Sequence, residues 1–96
     1  MKSINDKQAA EDFAIKAFSF IAQDPQILSL FFDITGLSVD SIRDAANSKD
    51  FLVGVMNFYS SNESLLISFC QNHNYNPESF GKAFALLSGE KEYFYS

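Results

Sequence analysis

The chain has 96 residues, of which 47% are hydrophobic and 20% charged, a composition typical of one globular domain and not of a disordered segment. Twelve acidic and seven basic residues give a net charge of -5, which argues against partners that are nucleic acids or anionic membranes. One cysteine and one histidine exclude an intramolecular disulfide and a Cys/His zinc site, so no metal or cofactor is expected. Without a signal-peptide pattern or an apolar run of about 18 residues, the sequence predicts a cytoplasmic protein.

Apolar residues recur at helical spacing along the whole chain and predict six short helices. The first is expected from about residue 8 to Gln23. Polar capping residues mark the starts of the other five helices: Asp24, Ser38, Ser48, Asn62 and Asn76. Left-handed residues are expected to end three of them: Gly36, Asn74 and Gly89.

Each predicted helix carries an apolar stripe that is expected to face the core. The stripes are Phe13, Ala17, Phe20 and Ile21; Ile27, Leu30, Phe31 and Ile34; Val39, Ile42 and Ala46; Leu52, Val55, Met56 and Tyr59; Leu66, Phe69 and Cys70; and Phe80, Ala83, Phe84 and Leu87. The surplus apolar residues Phe18, Leu28, Phe32 and Phe58 either fill a Phe-rich core or form a surface for a second copy or a partner.

An internal duplication relates the two halves of the chain. An offset of 38 residues aligns 12–47 with 50–85 without a gap, and seven of the 36 pairs are identical. The identical pairs are Asp12/Asp50, Phe13/Phe51, Phe20/Phe58, Leu28/Leu66, Phe31/Phe69, Ser41/Ser79 and Ala45/Ala83. The sequence therefore predicts an all-α single domain over 1–96, in which two pseudo-symmetric three-helix units (8–47 and 48–89) share one core and 90–96 form an aromatic tail.

Residues 32–43 have the pattern of a helix-turn-helix, the motif of many DNA-binding proteins. Two features oppose that interpretation. Phe32 occupies a position that is normally small, and Asp40 and Asp44 outnumber Arg43 on the helix that would enter the groove. Because the pattern is present but these features oppose it, DNA binding is kept as an alternative function and is not the expected one.

Cys70 and His73 are three residues apart on one predicted helix, the minimum spacing for a thiolate–imidazole pair. Cys70 also continues an apolar stripe, and His73 suits the negative end of the helix. No orienting group or oxyanion donor is evident, so no catalytic residue is assigned and an enzyme is not expected.

The C-terminal segment contains three consecutive aromatic residues, Tyr93, Phe94 and Tyr95. They either fold back over the core or form an interaction surface, and they are the candidate interaction residues. The expected function is a small protein–protein interaction or structural module, with a protein partner or a second copy as its ligand. A binder of a small apolar ligand, held between the two halves, is a third alternative.

The sequence resembles a family of short all-helical alphaproteobacterial proteins grouped as a domain of unknown function. The likeness covers about residues 8–89, and it rests on 14–25, 31–37, Ile42-Arg43, Phe51-Leu52, Phe58 and 63–78. Phe, Ser, Asn and Lys stand where members of that family carry Ala and Leu, and residues 1–7 and 90–96 fall outside the pattern. The resemblance implies a bacterial cytosolic protein, and it supplies no catalytic or binding residues.

Overall fold

A computed structural model describes residues 4–40, 43 and 48–89, and this part of the chain is α-helical without a β-strand. Within these ranges there are five helices and not the six predicted. They are α1 (Lys7–Ala22), α2 (Pro25–Thr35), α3 (Lys49–Ser60), α4 (Glu63–His73) and α5 (Glu78–Ser88). Val39, Asp40 and Arg43 have helical backbone, but the rest of the predicted third helix, 41–42 and 44–47, lies outside the described residues.

Polar side chains begin the helices at or next to the predicted positions. The Asp24 carboxylate accepts hydrogen bonds from the backbone N–H groups of Gln26 (2.9 Å) and Ile27 (3.4 Å), and the Ser48 hydroxyl accepts one from Phe51 (3.2 Å). The prediction that the Asn62 side chain caps α4 is wrong. This side chain turns back and donates to the Phe58 carbonyl at 2.8 Å, because the chain leaves α3 by a tight turn.

Three left-handed residues end helices, as predicted from their identities. The φ angles are 74° at Gly36, 60° at Asn74 and 69° at Gly89. The start of α5 differs by one residue from the expected position, with Pro77 before the helix instead of in its first turn. Asn76 still contributes the cap, since its side-chain oxygen accepts from the Glu78 N–H at 2.9 Å.

The centre of the molecule is formed by α1 and α3, which pack against each other. Both α2 and α5 pack against this pair, and α4 packs against α3. The buried apolar residues form one cluster: Ile4, Ala10, Phe13, Ala14, Ala17, Ile21, Phe31, Phe51, Leu52, Val55, Met56, Phe58, Tyr59, Phe69, Cys70, Tyr75, Ala83 and Leu87. Such a cluster stabilises the fold mainly through the removal of apolar surface from water.

Phenylalanine rings connect the two halves of the chain within this core. Phe31 of α2 packs against two rings of α3, and Phe69 of α4 packs against two rings of α1. The centroid distances are 5.4 Å for Phe31–Phe58, 6.4 Å for Phe31–Phe51, 5.7 Å for Phe69–Phe20 and 5.2 Å for Phe69–Phe13. Each contact is therefore matched by a contact between the residues 38 positions away, with the halves exchanged.

A buried tyrosine makes a hydrogen bond between α3 and α1. The Tyr59 hydroxyl donates to the Ala17 carbonyl at 2.7 Å, and the residue is 1% exposed. Burial, together with the nearby Cys70, raises the pKa of this phenol above its ordinary value. The hydroxyl therefore keeps its proton and remains a donor.

Most predicted stripes face the core, and the four stripe residues of α3 are all buried. Of the surplus residues, Phe58 is buried, and Phe18, Leu28 and Phe32 are half-buried against the core. Two stripes are wrong in part, since Leu30, Ile34 and Val39 are exposed. Among the described helices α2 packs against α1 and α3, and because it is apolar around much of its circumference, Leu30 and Ile34 lie outside these two contacts.

Candidate functional site

The second helix is held at both ends by local structure. Asp24 caps its first turn, Pro25 occupies the first helical position, and Gly36 ends it in the left-handed conformation. On the inner side of the helix, Phe31 is fully buried between α1 and α3. These constraints fix which side of α2 faces solvent.

Leu30 and Ile34 lie four residues apart, on one side of α2, and both face solvent. Leu30 is 44% exposed and Ile34 is 56% exposed, while Ile27, on the same side one turn earlier, is half-buried. We call these three residues the α2 face. Val39, which follows the Gly36 corner, is 60% exposed. An exposed apolar stripe of this kind is typical of an interaction surface.

Three aspartates accompany the α2 face, and we call them the acidic rim: Asp24, Asp33 and Asp40. All three are exposed, and no basic residue occurs between Asp24 and Asp40 in the sequence. Asp33 directly precedes Ile34 and therefore lies closest to the face along the chain. The segment from Asp24 to Asp40 thus carries a formal charge of the same negative sign as the whole chain.

The corresponding helix α4 has a different surface. At an offset of 38 residues, Leu30 aligns with Ser68, Asp33 with Gln71, and Ile34 with Asn72. Ser68, Gln71 and Asn72 are all exposed. These three positions are thus polar and uncharged on α4 and apolar or acidic on α2.

Cys70 and His73 lie in different environments. Cys70 is 1% exposed, and burial raises the pKa of its thiol. The His73 ring packs against aromatic rings at the edge of the core, with centroids 4.8 Å from Phe69 and 6.2 Å from Phe20. The thiolate is the nucleophilic form of cysteine, and burial favours the neutral thiol. Cys70 therefore behaves as an unreactive residue of the core.

A shallow cleft lies at the corner between α4 and α5. Its volume is about 380 Å³, and its lining residues are Ile67, Cys70, Gln71, Asn74, Tyr75 and Pro77. All of them belong to the second half of the chain, whereas the third alternative from the sequence was a small apolar ligand held between the two halves. The Lys16 ammonium lies 5.9 Å from the centroid of the Tyr75 ring, so α1 contributes a cation near this corner.

The helix-turn-helix pattern falls on the Gly36 corner. Phe32, at the position that is normally small, is half-buried there and packs on the Phe31 ring at 5.9 Å. Asp40 and Arg43 are exposed, and Ile42 and Asp44 lie outside the described residues. The candidate interaction residues Tyr93, Phe94 and Tyr95 also lie outside them.

Two features are absent from residues 4–40, 43 and 48–89. No group of three or more His, Cys, Asp or Glu side chains in this part comes together so as to hold a metal ion. None of its helices combines the length and the apolar character needed to cross a lipid bilayer.

The sequence was compared with protein families, curated proteins and solved structures. The family described as "Protein of unknown function (DUF3572)" matches residues 7–90, which include all five helices. No curated protein and no solved structure matches the chain. Because the match spans nearly the whole sequence, the chain belongs to the DUF3572 family.

Proposed function

We propose that this chain is a small non-catalytic interaction module that binds another protein through the α2 face. The observation that carries the proposal is the exposure of Leu30 (44%) and Ile34 (56%) on one side of a helix that is fixed at both ends. Single exposed apolar residues are common, but neighbouring ones on a rigid element indicate a binding surface. Cys70, the sole cysteine, is 1% exposed, and burial raises the pKa of its thiol, which argues against a cysteine nucleophile.

We further propose that the domain consists of two pseudo-symmetric three-helix units, 8–47 and 48–89, around one core. Helices α2 and α4 support this, because both have 11 residues, begin 38 positions apart and end at a left-handed residue. The exchanged ring contacts of Phe31 and Phe69 are a second line of support. On this view Ser68, Gln71 and Asn72 of α4 show which residues solvent favours at positions 30, 33 and 34 of α2, whereas at positions 29 and 67 the exposed apolar residue, Ile67, belongs to α4.

The comparison of α2 with α4 then points to function. If both outer surfaces faced only water, the same polar residues would suit both helices. On α2, however, Leu30 and Ile34 replace the Ser68 and Asn72 of α4. Full burial of one such side chain contributes about 1.5–3 kcal/mol, and roughly half of that remains available to a partner at each position. Each residue is therefore expected to change affinity several-fold, which suits a reversible partner.

Affinity capture from the cytosol of the native host, the compartment predicted from the sequence, tests the proposal. Wild-type chain is compared with Leu30→Gln/Ile34→Gln, in which a good helix former replaces both apolar residues. The matched control is Ile15→Gln, since Ile15 is 40% exposed on α1. We expect a captured protein that the control retains and the double variant loses. Equal capture by all three chains, or by none, would contradict the proposal.

A further inference from the structure

The charges around the α2 face identify a class of partner; this inference rests on the function proposed above. We propose that the α2 face binds a basic amphipathic helix, whose apolar side covers Leu30 and Ile34 while its Lys and Arg residues meet the acidic rim. All three rim aspartates, Asp24, Asp33 and Asp40, are exposed and free of basic neighbours in the segment they bracket. Complementary charge of this kind selects a cationic partner and accelerates its association.

The cations nearest along the chain are too few to balance the three aspartates of this rim. Lys16 of α1 is directed to the Tyr75 ring, 5.9 Å away, while Phe18 two residues later packs on Phe31 of α2 at 5.5 Å. Residues two apart on a helix point to nearly opposite sides, so Lys16 lies on the side of α1 away from α2. Arg43 is the first basic residue after the face, and three acidic residues outnumber it between 24 and 43.

A second copy of the chain is a poorer occupant. A two-fold interface places the same patch of both protomers in contact, so the rim aspartates of one copy would meet those of the other. Like charges in such an arrangement oppose association, and each copy also has a net charge of -5. A helix is the suitable shape, because Leu30 and Ile34 form a ridge along α2 that fits between side chains spaced at i, i+3 and i+4.

Three synthetic peptides of about 18 residues, long enough for five helical turns, test the inference. The first is an amphipathic Leu/Lys helix, the second is the same helix with Glu for Lys, and the third is the Leu/Lys composition scrambled to remove the apolar side. Binding is measured by fluorescence anisotropy at low and high ionic strength, and contacts are mapped from ¹⁵N chemical shifts. We expect the Leu/Lys helix to bind at least about tenfold more tightly than either other peptide, with shifts concentrated on α2.

Variants separate specific binding from general attraction to an acidic protein. Ile34→Gln and Asp33→Asn should each weaken the Leu/Lys helix by about threefold or more, equivalent to roughly 0.7 kcal/mol. Ile15→Gln and Asp12→Asn, which make the same chemical changes on the exposed side of α1, should leave the Kd unchanged. Asp33→Asn should also reduce the loss of affinity on addition of salt.

Other outcomes would overturn the inference, and they differ in whether the α2 face remains a docking surface. Equal binding of the Glu and Lys helices, with loss in Ile34→Gln, would retain the α2 face as a docking surface but reject a basic partner. A dimer in light scattering that Ile34→Gln dissociates would make a second copy the occupant. Binding of the scrambled peptide as tightly as the amphipathic one, or of no peptide, would reject the basic helix.

Discussion

Tyr59 is a buried core residue whose side chain carries a hydrogen-bonding hydroxyl. Its hydroxyl donates a hydrogen bond across the interface between α1 and α3, to the Ala17 carbonyl at 2.7 Å. In the folded protein burial keeps the phenol protonated, whereas in the unfolded chain it loses its proton at the ordinary pKa of about 10. Deprotonation therefore favours the unfolded state, and stability should fall as the pH rises above about 10.

The first prediction concerns Tyr59→Phe. At pH 7 we expect this change to lower the free energy of unfolding by about 1 kcal/mol through the lost hydrogen bond. Above about pH 10 the difference between the two chains should shrink, because the variant has no buried phenol at this site. Urea denaturation across this pH range measures both effects. A difference that stays constant with pH would contradict the assigned cause.

Cys70 leads to the second prediction. With 1% exposure and a raised thiol pKa, it should react with a thiol reagent such as DTNB only when the protein opens. We expect very slow labelling of the native chain at pH 8 and complete, rapid labelling in denaturant. Labelling of the native chain at the rate of a free thiol would show that Cys70 lies at an accessible site.

At the scale of the element, the caps of α2 and α4 make a matched pair. Asp24→Ala removes a side chain that accepts from two backbone N–H groups, and we expect a loss of about 1 kcal/mol. Asn62→Ala removes a side chain that caps no N–H group of α4 and makes one part-buried hydrogen bond, to the Phe58 carbonyl, so its effect should be smaller, about 0.5 kcal/mol. Thermal or urea unfolding gives both values, and the reverse order would contradict the cap assignment.

Two glycines test how α2 ends. An added Cβ would meet no atom within 4 Å at either Gly36 or Gly81, but only Gly36 has a positive φ, of 74°. Gly36→Ala should therefore destabilise the protein by about 1 kcal/mol through backbone strain. Gly81→Ala, inside α5, should stabilise it by up to about 1 kcal/mol. Equal effects of the two changes on the urea midpoint would contradict this account.

At the scale of the whole molecule, helical periodicity and capping residues predicted the helices well. Asp24, Gly36 and Gly89 act locally, so their roles depend little on the rest of the fold. Which side of each helix is buried depends on distant neighbours instead. The stripe of α2 correctly contains Phe31, yet it also contains Leu30 and Ile34, and among the described helices the positions of α1 and α3 decide which apolar side of α2 is covered.

For the same reason, the α2 face that we propose as the interaction site was not among the candidate residues taken from the sequence; those candidates lie outside the described residues and stay a prediction. Sequence reasoning directed attention to Tyr93, Phe94 and Tyr95, and it counted Leu30, Ile34 and Val39 as core residues. One signal in the sequence was available. Within the 38-residue alignment, Leu30 and Ile34 stand opposite Ser68 and Asn72, a difference in polarity at aligned positions of α2 and α4.

The central claim is that the α2 face contacts a protein partner, and site-specific photo-crosslinking tests it most directly. A photoreactive phenylalanine is placed at Gln26, exposed on α2, or at Ser64, the exposed counterpart 38 residues later on α4. In cells of the native host we predict a discrete adduct from position 26 that Ile34→Gln removes, and none from position 64. Adducts of equal yield from both positions, or an adduct at 26 unaffected by Ile34→Gln, would contradict the claim.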